Sequence, residues 1–192
     1  MGRPKEFDPD VAVEQAMKVF WRQGYGATTP QHLVDALGIG KGSLYNAFGG
    51  KRQLFDLALR RYLDQQASVM RALTEDSSPV KERLRKALRL LVEADITDPE
   101  RRGCLAANSA VEFGCADEAV ATQVRSHFDR IESALQALVE EGVRAREIQP
   151  GRDAQALAGM LLSTVTGLQV LTRIEPSPDR LLRAIDATID LL

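Results

Sequence analysis

The chain is predicted to fold as an all-α protein of about nine helices, and three observations carry that expectation. Its 192 residues are rich in Ala, Leu, Arg, Glu and Gln and lack the alternating Val/Ile/Tyr runs that strands need. Apolar residues recur at three- and four-residue spacing in one segment after another. Glycines, prolines and short polar clusters stand between those segments and stop one helix before the next begins. At 27% charged and 44% hydrophobic residues, the composition is that of a globular protein, long enough for one sizeable core or two small ones.

The first helix is expected over Asp10 to Gln23, where Val13, Ala16, Met17 and Phe20 share a face and Gly24 supplies the stop. The second opens on Thr28-Thr29-Pro30, a cap residue followed by proline at the first helical position, and ends at Gly38. The third is short, from Lys41 to about Phe48, and is closed by Gly49-Gly50. Leu44 and Phe48 lie four apart and turn inward, which leaves Lys41, Ser43, Tyr45 and Asn46 mainly outward. Two short helices joined by a glycine-containing turn, with a polar outer face on the second, form a helix-turn-helix. A long fourth helix runs from Lys51 to about Thr74. Five more are expected at roughly 80–96, 104–113, 117–146, 153–173 and 178–192, parted by the segments DPERRG, GCAD, QPGRD and EPSP.

Charge is unevenly placed. Residues 1–61 hold nine Lys/Arg, Arg3 and Lys5 among them, against six Asp/Glu, one of which is Glu6, which gives +3; with a net charge of −2, the remainder carries −5. A basic end on an acidic body suits an anionic partner at that end. Cys104 and Cys115 are expected to be free thiols, because the polar opening MGRPKEFDPD has no signal-peptide core and the cytoplasm is reducing. Residues 154–172 carry no charge, but Gln155, Ser163, Thr164, Thr166 and Gln169 make them too polar for a membrane span. A helix packed inside the protein or at a subunit interface is expected there, and no membrane partner.

Residues 24–55 read GYGATTPQHLVDALGIGKGSLYNAFGGKRQLF. The threonine pair, the LG-I-x-KGSLY-x-x-F stretch and the GK-x-x-LF stretch resemble the signature of the TetR family of regulators. That resemblance implies a three-helix DNA-binding head, residues 1–50, extending into a connecting helix at 51–74, and a helical ligand-binding and dimerisation body at 75–192. It also implies that Thr28, Thr29, Lys41, Gly42, Ser43, Tyr45, Asn46 and Lys51 fall where the family touches DNA. The residues make sense of this on physical grounds. Thr28 and Thr29 stand at a helix start, where free N–H groups and the dipole attract phosphate. Gly42 costs a short helix about 1 kcal/mol relative to alanine, which a bulky neighbour such as a DNA backbone justifies. Lys51 opens a helix at the end unfavourable to a cation, which a phosphate contact explains. Three departures from the family pattern stand out. Gly40 replaces a frequent serine, Asn46 a frequent histidine or tyrosine, and Gly50 a polar cap.

In the body, Cys104 follows Arg101 and Arg102 at a helix start, and both features favour thiolate. Cys104, Asn108 and Glu112 are spaced by four and share a face. This stretch is similar to the matching helix of an electrophile-sensing branch of the family, which implies a sensor cysteine. The competing reading is a small buried hydrophobe. His127, Phe128 and Thr164 are further candidates to line an effector site. Leu157, Met160, Leu161, Val165, Leu168 and Leu171, then Leu181, Leu182, Ile185, Ile189 and Leu192, form two apolar stripes that fit a homodimer interface.

An enzyme is not expected: His32 and His127 lie far apart in the chain, and no HExxH, CxxC or nucleophile elbow is present. No cofactor and no metal is expected either. The partners implied are a double-stranded DNA operator, a small-molecule or electrophile effector and a second copy of the chain, in the cytoplasm. Repression is the expected output. Activation, or an effector-independent architectural role on DNA, are the alternatives.

Overall fold

In a computed structural model of the chain, residues 7–192 are described; Arg3, Lys5 and Glu6, counted among the charges above, lie outside them. The described residues form nine α-helices and no strand: α1 Pro9–Gln23, α2 Pro30–Leu37, α3 Lys41–Phe48, α4 Lys51–Glu75, α5 Val80–Thr97, α6 Leu105–Phe113, α7 Glu118–Arg144, α8 Ala154–Leu171 and α9 Asp179–Asp190. A single 3-10 turn, Gly114–Ala116, lies between α6 and α7. The all-α expectation holds, and helix ends fall within about two residues of those read from the sequence. The chain folds as two compact units. One takes the residues up to Gln65 together with Leu105–Val124; the other takes Gln66–Cys104 and Arg125–Leu192.

The first unit starts at Asp8, whose carboxylate accepts from the amide of Asp10 at 2.8 Å and so caps α1. Pro9 fills the first helical position, and Gly24, at φ 79°, ends the helix in a conformation that suits glycine. Phe20, Leu33, Leu44, Leu54 and Leu59, fully buried, bring α1 to α4 around one small core. Each such side chain contributes about 1.5–3 kcal/mol by leaving water. Phe113, at the end of α6, joins this head: its ring centroid lies 5.2 Å from Phe55 and 5.2 Å from Tyr25.

In the second unit α5 packs against α9 and α8. Val80, Leu84, Leu88 and Val92 of α5 meet Leu157, Leu161 and Leu168 of α8, Leu181, Ile185 and Ile189 of α9, and Leu135, Leu138 and Val139 of α7. Arg85 and Arg89 on α5 pair with Asp186 on α9, Arg89 at 2.7 Å. The α5–α6 connection is tied down by Arg101, whose guanidinium donates to the carbonyls of Thr172 and Glu175 just past α8. Gly103 sits there at φ 61°, and a Cβ on it would lie 2.8 Å from the carbonyl oxygen of Gln169.

Helix α8 is long and apolar enough to cross a membrane by length and composition, yet only 22% of it is buried. Its exposed side runs through Ala156, Ser163, Gly167 and Val170 and is continued by Ile174. Leu168, expected on the subunit interface, is 3% exposed and belongs to the protomer's own core. The stripe therefore divides: Leu157, Leu161 and Leu168 face inward, and the small residues and Val170 face out.

Candidate nucleic-acid interface

Helix α3 begins without a side-chain cap, because Gly40 stands at its cap, and ends at Gly49 with φ 79°. Leu44 and Phe48 are buried, as their spacing requires, and hold the helix against the head. Lys41, Gly42, Tyr45 and Asn46 are exposed, and Ser43 is half-buried. Gly42 is the informative position. A Cβ built there meets nothing within 4 Å, so no packing inside the protein asks for glycine. Its φ is helical, so no backbone strain asks for it either.

Helix α2 starts at Thr29, whose Oγ1 accepts from the amide of His32 at 3.2 Å, while His32 Nδ1 accepts from the amide of Thr29 at 3.3 Å. This reciprocal cap fixes the helix start, with Thr29 exposed. Gln23 Nε2 adds contacts to His32 Nδ1 at 2.9 Å and to Thr28 Oγ1 at 3.1 Å.

Two residues expected on DNA are engaged inside the head. Thr28 is 1% exposed, and its hydroxyl donates to the carbonyl of Gly24 at 2.6 Å. It stabilises the turn from within and does not offer its side chain to a phosphate. Lys51 Nζ donates to the carbonyls of Tyr25 at 2.9 Å and Thr28 at 2.8 Å, and lies 4.0 Å from the centre of the Tyr25 ring. The cation at the start of α4 thus has an internal reason: it collects the carbonyls of the α1–α2 turn. The exposed set left for an anionic partner is Thr29, Lys41, Gly42, Tyr45 and Asn46, with Ser43 beside them.

The second group of candidates also divides. Glu112 does not line the interior of the body, since its carboxylate accepts from the amides of Tyr25, at 2.8 Å, and Gly26. Sequence reasoning missed this role because the partners are backbone groups 86 and 87 residues away. The only trace is the pair of glycines around Tyr25, which leaves space for the carboxylate. Asp117 caps α7 through Val120 and takes a bidentate contact from Arg52. That guanidinium holds the Asp117 carboxyl down at about 2.

Cys104 lies just before α6 and is 7% exposed, whereas Cys115 is exposed. The arginines expected to favour a thiolate have other partners. Arg101 binds carbonyls, and Arg102 pairs with Asp98 at 2.8 Å and Glu100 at 3.6 Å. Asn108 and Thr164 are half-buried, as is Phe128, whose ring centroid lies 5.7 Å from that of His127. His127 is buried in the stripe of α7 that carries Leu135 and Leu138, with no hydrogen-bond partner for its imidazole among the described residues. Burial, with the positive charge of Arg130, pushes it down to about 4, so the ring is neutral at pH 7.

Residues 12–58 match the family described as bacterial regulatory proteins, tetR family, and residues 80–188 match the tetracyclin repressor-like C-terminal domain. The chain is 34% identical to an uncharacterized HTH-type transcriptional regulator, YezE of Bacillus subtilis (strain 168), over the full length of both. It is 30% identical to the HTH-type transcriptional repressor ComR of Escherichia coli (strain K12), covering 99% of this chain and 91% of that one. Among solved structures it is similar to a cysteine mutant of the TetR family transcriptional regulator CifR complexed with 26-base-pair double-strand operator DNA. The TM-score is 0.86 at 28% identity, with 98% of each chain covered.

Proposed function

The chain belongs to the TetR family of bacterial regulatory proteins, and on that footing we propose that it is a transcriptional repressor acting as a homodimer. It grips a pseudo-palindromic operator through the exposed side of α3 and the start of α2, and releases it when a small molecule occupies the body. The DNA-binding part in this reading is residues 1–50 with α4 attached; the effector-binding and dimerising part is 75–192. Phosphates are met by Thr29, Lys41 and Tyr45, and base edges by Ser43 and Asn46. A dimer presents two recognition helices about 34–36 Å apart to successive major grooves. The name of ComR as a repressor supports the direction of control. As a DNA-binding regulator it is read as working in the cytoplasm, and it is not read as an enzyme.

The observation that carries this reading is the empty space at Gly42 on an otherwise ordinary helix. Gly42→Ala is expected to act in opposite directions on fold and function. Helix propensity raises stability by about 0.5–1 kcal/mol, a gain of roughly 1–4 °C in thermal midpoint. The added methyl lowers operator affinity about tenfold by standing where the DNA backbone approaches. Calorimetry and a binding titration on the same preparation read both. A variant that is more stable and binds DNA unchanged would remove Gly42 from the interface.

The dimer rests on the open side of α8. Val170, 52% exposed, is the position to test, because Leu168 would report on the protomer core instead. Val170→Arg places a charge where two copies meet and is expected to yield a folded monomer at micromolar concentration in analytical ultracentrifugation. A variant that sediments as the wild-type dimer would move the interface elsewhere. For the effector, the neutral imidazole of His127, unpartnered among the described residues, supports a ligand with a hydrogen-bonding polar atom. Cys104 is read as a packed side chain, because its arginine neighbours are bound elsewhere.

A further inference from the structure

We propose that Glu112 of α6 is a positioning residue for operator binding: it holds the α1–α2 turn, and with it the start of α2, in the posture that meets DNA. The inference rests on the operator-binding reading above and adds to it a residue outside the helix-turn-helix. The turn runs from Gly24 to Thr29 between α1 and α2, and its peptide groups are gripped from two sides by opposite charges. The carboxylate of Glu112 accepts from the N–H groups of Tyr25 and Gly26. The ammonium of Lys51 donates to the C=O groups of Tyr25 and Thr28. An anion on the donors and a cation on the acceptors complement the polarity of the turn, and charge-assisted bonds of this kind are the strong ones. The Thr28 hydroxyl closes the same turn on Gly24. The residue that follows is Thr29, the cap of α2 and an exposed candidate for phosphate contact.

The sequence has made room for this carboxylate. A Cβ on Gly24 would lie 2.9 Å from Glu112 Oε2, and one on Gly26 would lie 3.0 Å from Oε1. Gly24 also needs its positive φ, but Gly26 does not, and a Cβ there would press on the Glu112 carboxylate and push it a few tenths of an ångström out of place. The neighbouring residues make the anchor firm. Phe113 is packed on Tyr25 and Phe55, and Arg52 at the start of α4 grips Asp117. Glu112 therefore projects from a fixed support.

The test is a double-mutant cycle with Gly26→Ala and Glu112→Ala, read on a duplex recovered by selection with the wild type from a random pool. Each single change is expected to weaken binding to that duplex about tenfold, the worth of one charge-assisted hydrogen bond. The double change should be no worse than either single one, because both break the same contact. Glu112→Gln, which keeps one acceptor oxygen, should fall between. Sequence-independent binding at low salt and the dimer should stay near wild type, and the thermal midpoint should fall by no more than a few degrees. Amide hydrogen exchange supplies a readout independent of DNA: Tyr25 and Gly26 should exchange at least about tenfold faster in Glu112→Ala, while core amides of α1 and α4 do not change. Additive losses in the cycle, unchanged exchange, or full operator affinity in Glu112→Ala would each overturn the proposal and leave the operator-binding reading standing. A wild type that recovers no duplex at all would overturn that reading, and this one with it.

Discussion

Glu141→Ala is expected to destabilise the protein by about 2–4 kcal/mol and to lower its thermal midpoint by roughly 5–10 °C. The reason lies in Arg83, whose side chain is almost wholly buried. One end of its guanidinium is paired with Glu141; the other donates to the carbonyl of Asp76 at 2.6 Å and reaches those of Leu73 at 3.4 Å and Thr74 at 3.5 Å. Those carbonyls belong to the end of α4 and the residue just past it, where no intrahelical donor remains, so Arg83 serves as a C-terminal cap carrying the favourable charge. Its Nε has no partner among the described residues, which leaves Glu141 as its one counter-charge by direct contact among them. Removing the carboxylate strands a buried cation. The loss is kept below the largest values seen for such pairs because the Glu141 side chain is 45% exposed and water enters in its place. Glu141→Gln, which keeps an acceptor, should recover about half. Urea unfolding of the three proteins decides the matter, and a change below about 0.5 kcal/mol for Glu141→Ala would show that Arg83 is solvated by another route.

Acidification from pH 6.5 to 4 is expected to cost the folded state about 3 kcal/mol through His127 alone. The unfolded chain takes up a proton near pH 6.5, whereas the buried ring in the folded protein resists until about 4, held down first by burial and then by Arg130. Across that window the unfolded state binds more protons, so stability falls as the pH falls and levels off below 4. Asp117 acts in the adjacent range: its carboxyl is depressed to about 2, so its stabilisation is present above the ordinary carboxylate value and is lost from there downward. His127→Leu fills a similar volume with no titrating group and should flatten the dependence between pH 6.5 and 4. If wild type and variant lose stability in parallel over that window, His127 is not the group responsible.

The helices were legible because their signals are local. Thr29-Pro30, Gly38 and the Gly49-Gly50 pair mark ends that depend on one or two residues, and the buried stripes follow from spacing alone. The exposed side of α3 was legible for the same reason. Lys41, Gly42, Tyr45 and Asn46 point outward because Leu44 and Phe48 point inward. What failed were assignments that depend on partners distant in sequence. Lys51 looked misplaced at a helix start until the carbonyls of Tyr25 and Thr28 came to it. Thr28 and Thr29 are neighbours with identical chemistry, yet one faces the core and the other faces out. Glu112 shares a helical face with Cys104 and Asn108 in the sequence, but its carboxylate is captured by amides of the head. Leu168 carried no sign in its stripe to tell protomer core from subunit contact.

The open side of α8 also bears on how the regulator responds to its own abundance. An operator that needs two heads counts dimers, and a protomer with an apolar helix face left uncovered exchanges with dimers according to concentration. Below the dissociation constant of the pair, halving the copy number leaves about a quarter of the dimers. In that range gene dosage, growth rate and dilution at cell division act on the number of dimers quadratically, and a gene held by a dimer switches more sharply with protein level than one held by a monomer.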